Sequence, residues 1–101
     1  MRYVAIFLDD LDPKNVEEEI TKAHFDYLSA QKHRIADAGG LKNDPNGAFC
    51  GTLWMITADS LEEAQDLADQ DPYCKAGLRP WYRVLVWNQA PGFSPGNHGA
   101  R

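Results

Sequence analysis

The run Tyr3–Leu8 contains only apolar and aromatic side chains, and so does Leu53–Ile56 within the longer stretch Phe49–Ala58. Both are rich in strand formers, and Tyr3–Leu8 is too short for a helix. A strand sends successive side chains to opposite faces. Tyr3, Ala5 and Phe7 therefore oppose Val4, Ile6 and Leu8, and Leu53 and Met55 oppose Trp54 and Ile56. In a last stretch, Trp81–Asn88, Trp81, Leu85 and Trp87 oppose Tyr82, Val84 and Val86. An antiparallel sheet with one wet face alternates apolar with polar residues, and these strands do not. Whatever sheet they build must be covered on both sides.

The segments between the strands supply only enough helix for one side. After Asp9, Asp10, Asp12 and Pro13 break the first strand, Val16, Ile20, Ala23, Tyr27 and Leu28 recur at spacings of three and four, which predicts a helix over 14–33. Glu17–Glu19 fall in its first turn and Lys32, His33 and Arg34 in its last, as the helix dipole favours. A short strand over Arg34–Ala38 follows, stopped by Gly39-Gly40, and Asn43–Gly47 is a turn cluster. Ser60-Leu61-Glu62-Glu63 is a capping box opening a second helix that ends at Asp71-Pro72. A loop over 73–78 leads to the last strand. The order strand, helix, strand, strand, helix, strand is the split βαβ, ferredoxin-like pattern of the α+β class. It predicts one domain over 1–90 with a four-stranded antiparallel sheet and both helices on one face, followed by a flexible Gly/Pro-rich tail over 91–101.

The uncovered face implies a homodimer, in which an identical face of a second chain buries it. Partial cover by the chain's own tail is the alternative. The remaining composition narrows the partners. The 101 residues carry a formal charge of −5 and no basic cluster, which excludes a nucleic-acid partner. No apolar run approaches the roughly 20 residues of a membrane helix, and the N-terminus shows no secretion signal, so a cytoplasmic location is expected. Cys50 and Cys74 have no metal-ligand spacing and read as small buried hydrophobes, with a reactive thiol at Cys74 as the alternative. The absence of a Gly-rich phosphate loop, HExxH, GxSxG or Cys/His metal spacing argues against a nucleotide enzyme, a zinc enzyme and a serine hydrolase. Neither metal nor organic cofactor is expected.

Few residues remain to carry chemistry. His24 falls on the apolar stripe with Val16, Ile20, Tyr27 and Leu28, while His33 falls on the opposite side and His98 in the tail. A histidine on such a stripe is usually a satisfied core residue, yet imidazole exchanges protons near neutral pH. Asp71 stops a helix and is free to bond turn amides; placed beside a histidine it would fix the ring's tautomer and raise its basicity. Asp37 is an acid in an otherwise apolar strand, facing either a polar pocket or a solvated edge. Arg79 and Arg83 are candidate anion binders, with Arg83 in register to pair instead with an acid across a dimer interface.

From Arg2 to about Val86 the chain resembles the YCII-related (YciI-like) family. The residues that carry the resemblance are the first strand, Ala23-His24-Phe25-x-Tyr27-Leu28, Ala38-Gly39-Gly40-Leu41, Ser60-Leu61-Glu62-Glu63-Ala64 and, most specific, Ala68-Asp69-Gln70-Asp71-Pro72-Tyr73-x-x-Ala76-Gly77-Leu78. The resemblance implies a dimeric α+β barrel of ferredoxin-like subunits, related in fold to muconolactone isomerase. It implies a histidine and an aspartate paired in a cleft, at the positions of His24 and Asp71. It also implies kinship with a dehydrochlorinase acting on a chlorinated muconate-type acid. Candidate substrate-binding residues around that cleft are Asp37, Gly39, Tyr73, Gly77 and Arg79. Gly40, where the family often has proline, and Asp37, where small apolar residues are usual, depart from the pattern and border the expected cleft. The expected function is a small cofactor-independent enzyme performing isomerisation, elimination or lactone-type chemistry on a small anionic acid. The alternative is a non-catalytic dimeric module that binds a small metabolite.

Overall fold

The structure, a computed structural model, describes residues 1–93; the expected tail beyond Phe93, with His98, lies outside them. Strands β1 (Arg2–Phe7), β2 (Ile35–Lys42), β3 (Phe49–Thr57) and β4 (Tyr82–Val86) form one sheet in the order β2-β3-β1-β4. Every neighbouring pair is antiparallel. With helices α1 (Glu18–Ala30), α2 (Leu61–Asp69) and the single-turn α3 (Pro72–Lys75), this is the expected α+β, ferredoxin-like arrangement. Among the described residues no helix is long and apolar enough to cross a membrane.

Three local expectations need correction. The first helix does not begin at residue 14. Pro13 opens a 3₁₀ turn over Pro13–Asn15, whose Lys14 N–H donates to the Asp12 carboxylate, and the backbone extends at Val16 before α1 starts. At its other end α1 stops at Ala30, so Lys32, His33 and Arg34 lie beyond it. Second, Gly39-Gly40 does not end β2. Ladder pairing of Gly39 with Leu53 and Gly40 with Thr52 carries the strand on to Lys42, so tertiary pairing overrides the weak strand preference of glycine. Third, the segment after Asp71 is not all loop. Pro72, with its fixed φ, sits at the first position of α3, and Gly77, at φ +75°, turns the chain out of it.

One sheet face carries the core. Tyr3, Ala5, Phe7, Trp54, Ile56 and Val84 pack there against Ala64, Leu67 and Ala68 of α2. Full burial of a leucine such as Leu67 contributes about 1.5–3 kcal/mol. Helix α2 is held by its Ser60 cap, which accepts from the Glu63 N–H at 3.0 Å, and lies over β1 and β4. Helix α1 packs chiefly on α3, and the β2–β3 half of the sheet is left partly uncovered beneath it. The opposite face holds two cross-strand rows, Asp37-Met55-Val4-Leu85 and Gly39-Leu53-Ile6-Arg83. Val4, Ile6, Leu53 and Met55 are half-buried there, and Trp81, Leu85 and Trp87 are exposed. The described residues thus leave this apolar face largely uncovered.

Candidate active site

Helix α1 buries one side chain fully, and it is His24. The ring is 5% exposed and lines a cleft of about 170 Å³ between α1 and the β2–β3 half of the sheet. Its Nδ1 lies 2.5 Å from Oδ1 of Asp71, which is wholly buried. A carboxylate only accepts, so Nδ1–H donates and the neutral ring keeps its lone pair on Nε2. Nε2 has no partner within the described chain and is the nitrogen left for a ligand.

Asp71 reaches this position because it precedes α3 without capping it; its side chain bonds none of the turn amides. The structural role expected of an acid before proline is therefore not the one this carboxylate performs. Asp71 does not line the cleft and touches it only through His24. Its second oxygen, Oδ2, is buried without a hydrogen-bond partner among the described residues.

Tyr73 fixes the plane of the imidazole. The rings stack at 4.0 Å between centroids and 16° between planes, and Phe25 meets His24 edge-on at 4.9 Å. The Tyr73 hydroxyl shares a hydrogen bond with Thr21 at 2.9 Å, which ties α3 to α1. On the far side of Tyr73 the Arg79 guanidinium lies 5.5 Å from that ring and 4.8 Å from the Phe7 ring. Arg79 is buried, and its Nη1 donates to both oxygens of Asp9 at 2.8 and 3.0 Å. Its charge is thereby matched inside the protein rather than left free for an anion.

Of the other expected site residues, Gly39, Tyr73 and Arg79 line the His24 cleft; Asp37 and Gly77 do not. Asp37 does not border the cleft as expected: it pairs with Met55 on the opposite sheet face, is exposed, and accepts from the Ala38 N–H. Gly77 is exposed at the exit of α3. Arg83 is exposed on the same face as Asp37, opposite Ile6. Sequence reasoning missed Asp9, whose place beside Arg79 depends on contact 70 residues away, and the cleft walls Leu11, Phe49, Thr52 and Trp54. Gly40, the departure from the family pattern, does border the cleft, and the Phe49 ring occupies the space a Cβ there would take, 2.5 Å away.

The cysteines differ from the expectation of two buried hydrophobes. Cys50 is exposed. Cys74 is half-buried, and burial together with the nearby Asp71 charge pushes its thiol up to about 12, which argues against the reactive alternative. Burial also pushes the Tyr27 phenol up to about 12, while its hydroxyl donates to the Leu67 carbonyl at 2.6 Å. Tyr82 is raised likewise, by burial and by its hydrogen bond to Asp69. Among the described residues no three His, Cys, Asp or Glu side chains gather where they could hold a metal ion.

Fold and cleft define a ferredoxin-like α+β protein with a carboxylate-held histidine on the buried side of its first helix. The chain belongs to the YCII-related family, whose domain model matches residues 1–88. It is 34% identical over 85 residues to Protein YciI of Escherichia coli O6:H1 strain CFT073 and equally to Protein YciI of Shigella flexneri, in each case across 77% of this chain and 87% of the relative. Among solved structures it is similar to the 5-chloro-2-hydroxyhydroquinone dehydrochlorinase TftG of Burkholderia phenoliruptrix AC1100 in complex with 2,5-dihydroxybenzoquinone. The TM-score is 0.73 at 24% identity, covering 89% of this chain and 96% of that one. That likeness shows the fold. The dehydrochlorinase takes a chlorinated hydroxyhydroquinone, not the muconate-type acid expected from the family resemblance.

Proposed function

We propose that the protein is a small cofactor-independent enzyme in which His24 performs general acid/base catalysis on a small anionic, unsaturated or cyclic organic acid. The observation that carries this reading is the Asp71–His24 hydrogen bond, which leaves Nε2 unpartnered on a residue that lines the cleft. In the reaction Nε2 accepts a proton from an acidic C–H of the substrate, leaving an enolate. The imidazolium then returns the proton elsewhere on the molecule in an isomerisation; in an elimination the enolate expels a leaving group with its electron pair, and the imidazolium gives its proton to that group or to solvent. Asp71 acts through His24: it holds Nδ1–H, fixes the ring's orientation and stabilises the imidazolium. Tyr73 sets the ring plane, and the apolar walls exclude water from the enolate. The fold neighbour, an enzyme that eliminates chloride from a small ring, supports the same class of step.

The reading includes a homodimer joined through the open sheet face, supported by the half-buried Val4, Ile6, Leu53 and Met55 and the exposed Leu85, Trp81 and Trp87. The functional test is a screen of small unsaturated and cyclic acids in D₂O, followed by NMR for deuterium wash-in or loss of substrate. Turnover that disappears in His24→Ala supports the reading; turnover retained in both His24→Ala and Asp71→Asn rejects it. Binding without any turnover would leave a metabolite-binding module.

A further inference from the structure

Trp54 and Tyr73 are the most deeply buried large side chains that line the cleft, each at 1% exposure, and the Trp54 indole Nε1 is buried without a hydrogen-bond partner among the described residues. Buried indole N–H groups ordinarily have one. The position of Trp54 gives this donor a use. Strand β3 turns Thr52 and Trp54 to the same face, and their partners across the β2–β3 ladder are Gly40 and Ala38, which carry at most a methyl. The Phe49 ring lies over Gly40, beside Thr52, whereas only the Ala38 methyl stands across the ladder from the indole, under the helix that bears His24.

The cleft's size and walls set the body of what fits. Its volume of about 170 Å³ compares with about 150 Å³ for an apolar cavity that takes up benzene. Phe25, Leu28 and Phe49 supply apolar walls. A single ring matches the space, and the donors on its walls with no partner among the described residues are the Trp54 indole N–H and the Arg79 Nε–H, both buried.

We propose that Trp54 is a specificity-determining residue of the His24 cleft, its indole N–H donating to an oxygen of a single-ring ligand. The proposal rests on the cleft being the functional site and adds the class of molecule it selects. It separates oxygenated rings from bare ones, because a ligand without the acceptor leaves a buried donor unpaired.

The test uses ¹⁵N-labelled protein and two probes, 2,5-dihydroxybenzoquinone as the oxygenated ring and toluene as the oxygen-free one. It is run in the Cys50→Ser background, so that the exposed thiol does not add to the quinone. The Trp54 indole signal is identified by its loss in Trp54→Phe. With the quinone, this signal is expected to move downfield together with the His24 ring signals. Trp54→Phe is expected to weaken quinone binding about tenfold or more and to weaken toluene binding, which loses only wall contact, by clearly less; equal weakening of both overturns the hydrogen bond. Equal quinone affinity in both proteins, with His24 responding in each, overturns the role of Trp54 and leaves the cleft reading intact. If Trp54→Phe does not fold, the Cys50→Ser protein decides: an indole signal that stays fixed while His24 responds overturns the proposal, a structural water then being the donor's partner. Failure of the quinone to bind overturns the ring-ligand proposal, whereas loss of turnover in His24→Ala bears only on the reading beneath it.

Discussion

Asp71 and His24 are 47 residues apart in the chain and 2.5 Å apart in space. One residue precedes the short helix α3, and the other sits mid-way along α1. A wholly buried carboxylate is costly unless it is paired. This one accepts its one side-chain hydrogen bond among the described residues from an imidazole whose second nitrogen is left without a partner there. A histidine satisfied for packing alone would have both nitrogens bonded. The geometry therefore leaves this ring one nitrogen open to a ligand.

Asp9 and Arg79 form a buried pair on the far side of Tyr73. Removing one member of such a pair strands the other charge, at a cost of about 3–5 kcal/mol. Asp9→Ala is expected to lower stability by that amount in urea denaturation. Lys22→Ala, which breaks an exposed pair with Asp26, is expected to leave the urea midpoint where it was.

The two thiols should separate cleanly by reactivity. Cys50 is exposed, whereas Cys74 is pushed up to about 12 and stays protonated at neutral pH. Alkylation of the folded protein at pH 7.5, read by intact mass and peptide mapping, is expected to label Cys50 and spare Cys74 (the pH is a choice of about one unit below the free-thiol value). Labelling of Cys74 at a matching rate would mean that the α3 region opens.

Stability is expected to fall in alkali. Tyr27 has a folded value of about 12 against roughly 10 unfolded, so the folded state holds the proton more tightly. Its contribution is complete below about pH 10 and is lost as pH rises towards 12. Thermal melts from pH 8 to 11, a range of about three units around the unfolded value, should show this decline, and Tyr27→Phe should flatten it while costing about 0.5–1.5 kcal/mol at neutral pH for the lost bond to Leu67. A decline of unchanged steepness in Tyr27→Phe would place its origin elsewhere, with Tyr82 the next candidate.

The open sheet face should join two chains. Leu53→Asp puts a charge in the middle of the row Gly39-Leu53-Ile6-Arg83, on the face away from the cleft. Sedimentation is expected to give a dimer for the natural sequence and a folded monomer for this variant. A natural chain that sediments as a monomer would contradict the dimer.

Much of this was legible in the sequence. The apolar stripe of α1, the capping box at Ser60 and the two-faced strands gave element order and sheet, because those signals are local and periodic. The ends of α1 and β2 were not, since a proline-led turn and a ladder running through two glycines are decided by neighbours rather than by propensity. At the site, His24 and Asp71 could be named as candidates from residue type, position and family resemblance. Their contact could not, because nothing in either segment says that Asp71 forgoes capping its own helix. Asp9 and Trp54 looked like a strand-ending acid and a core aromatic. Asp37 sits on the other face because a register shift between Ile35 and Asp37 moves the strand's alternation.

The state of the His24 ring tests the account most directly. Long-range ¹H–¹⁵N spectra across neutral pH report both ring nitrogens. Because the Asp71 carboxylate accepts from Nδ1–H, the neutral ring is expected to carry its proton on Nδ1 and its lone pair on Nε2, and Asp71→Asn to lose that fixed tautomer. A neutral ring with its proton on Nε2 would contradict this and leave His24 a packing residue.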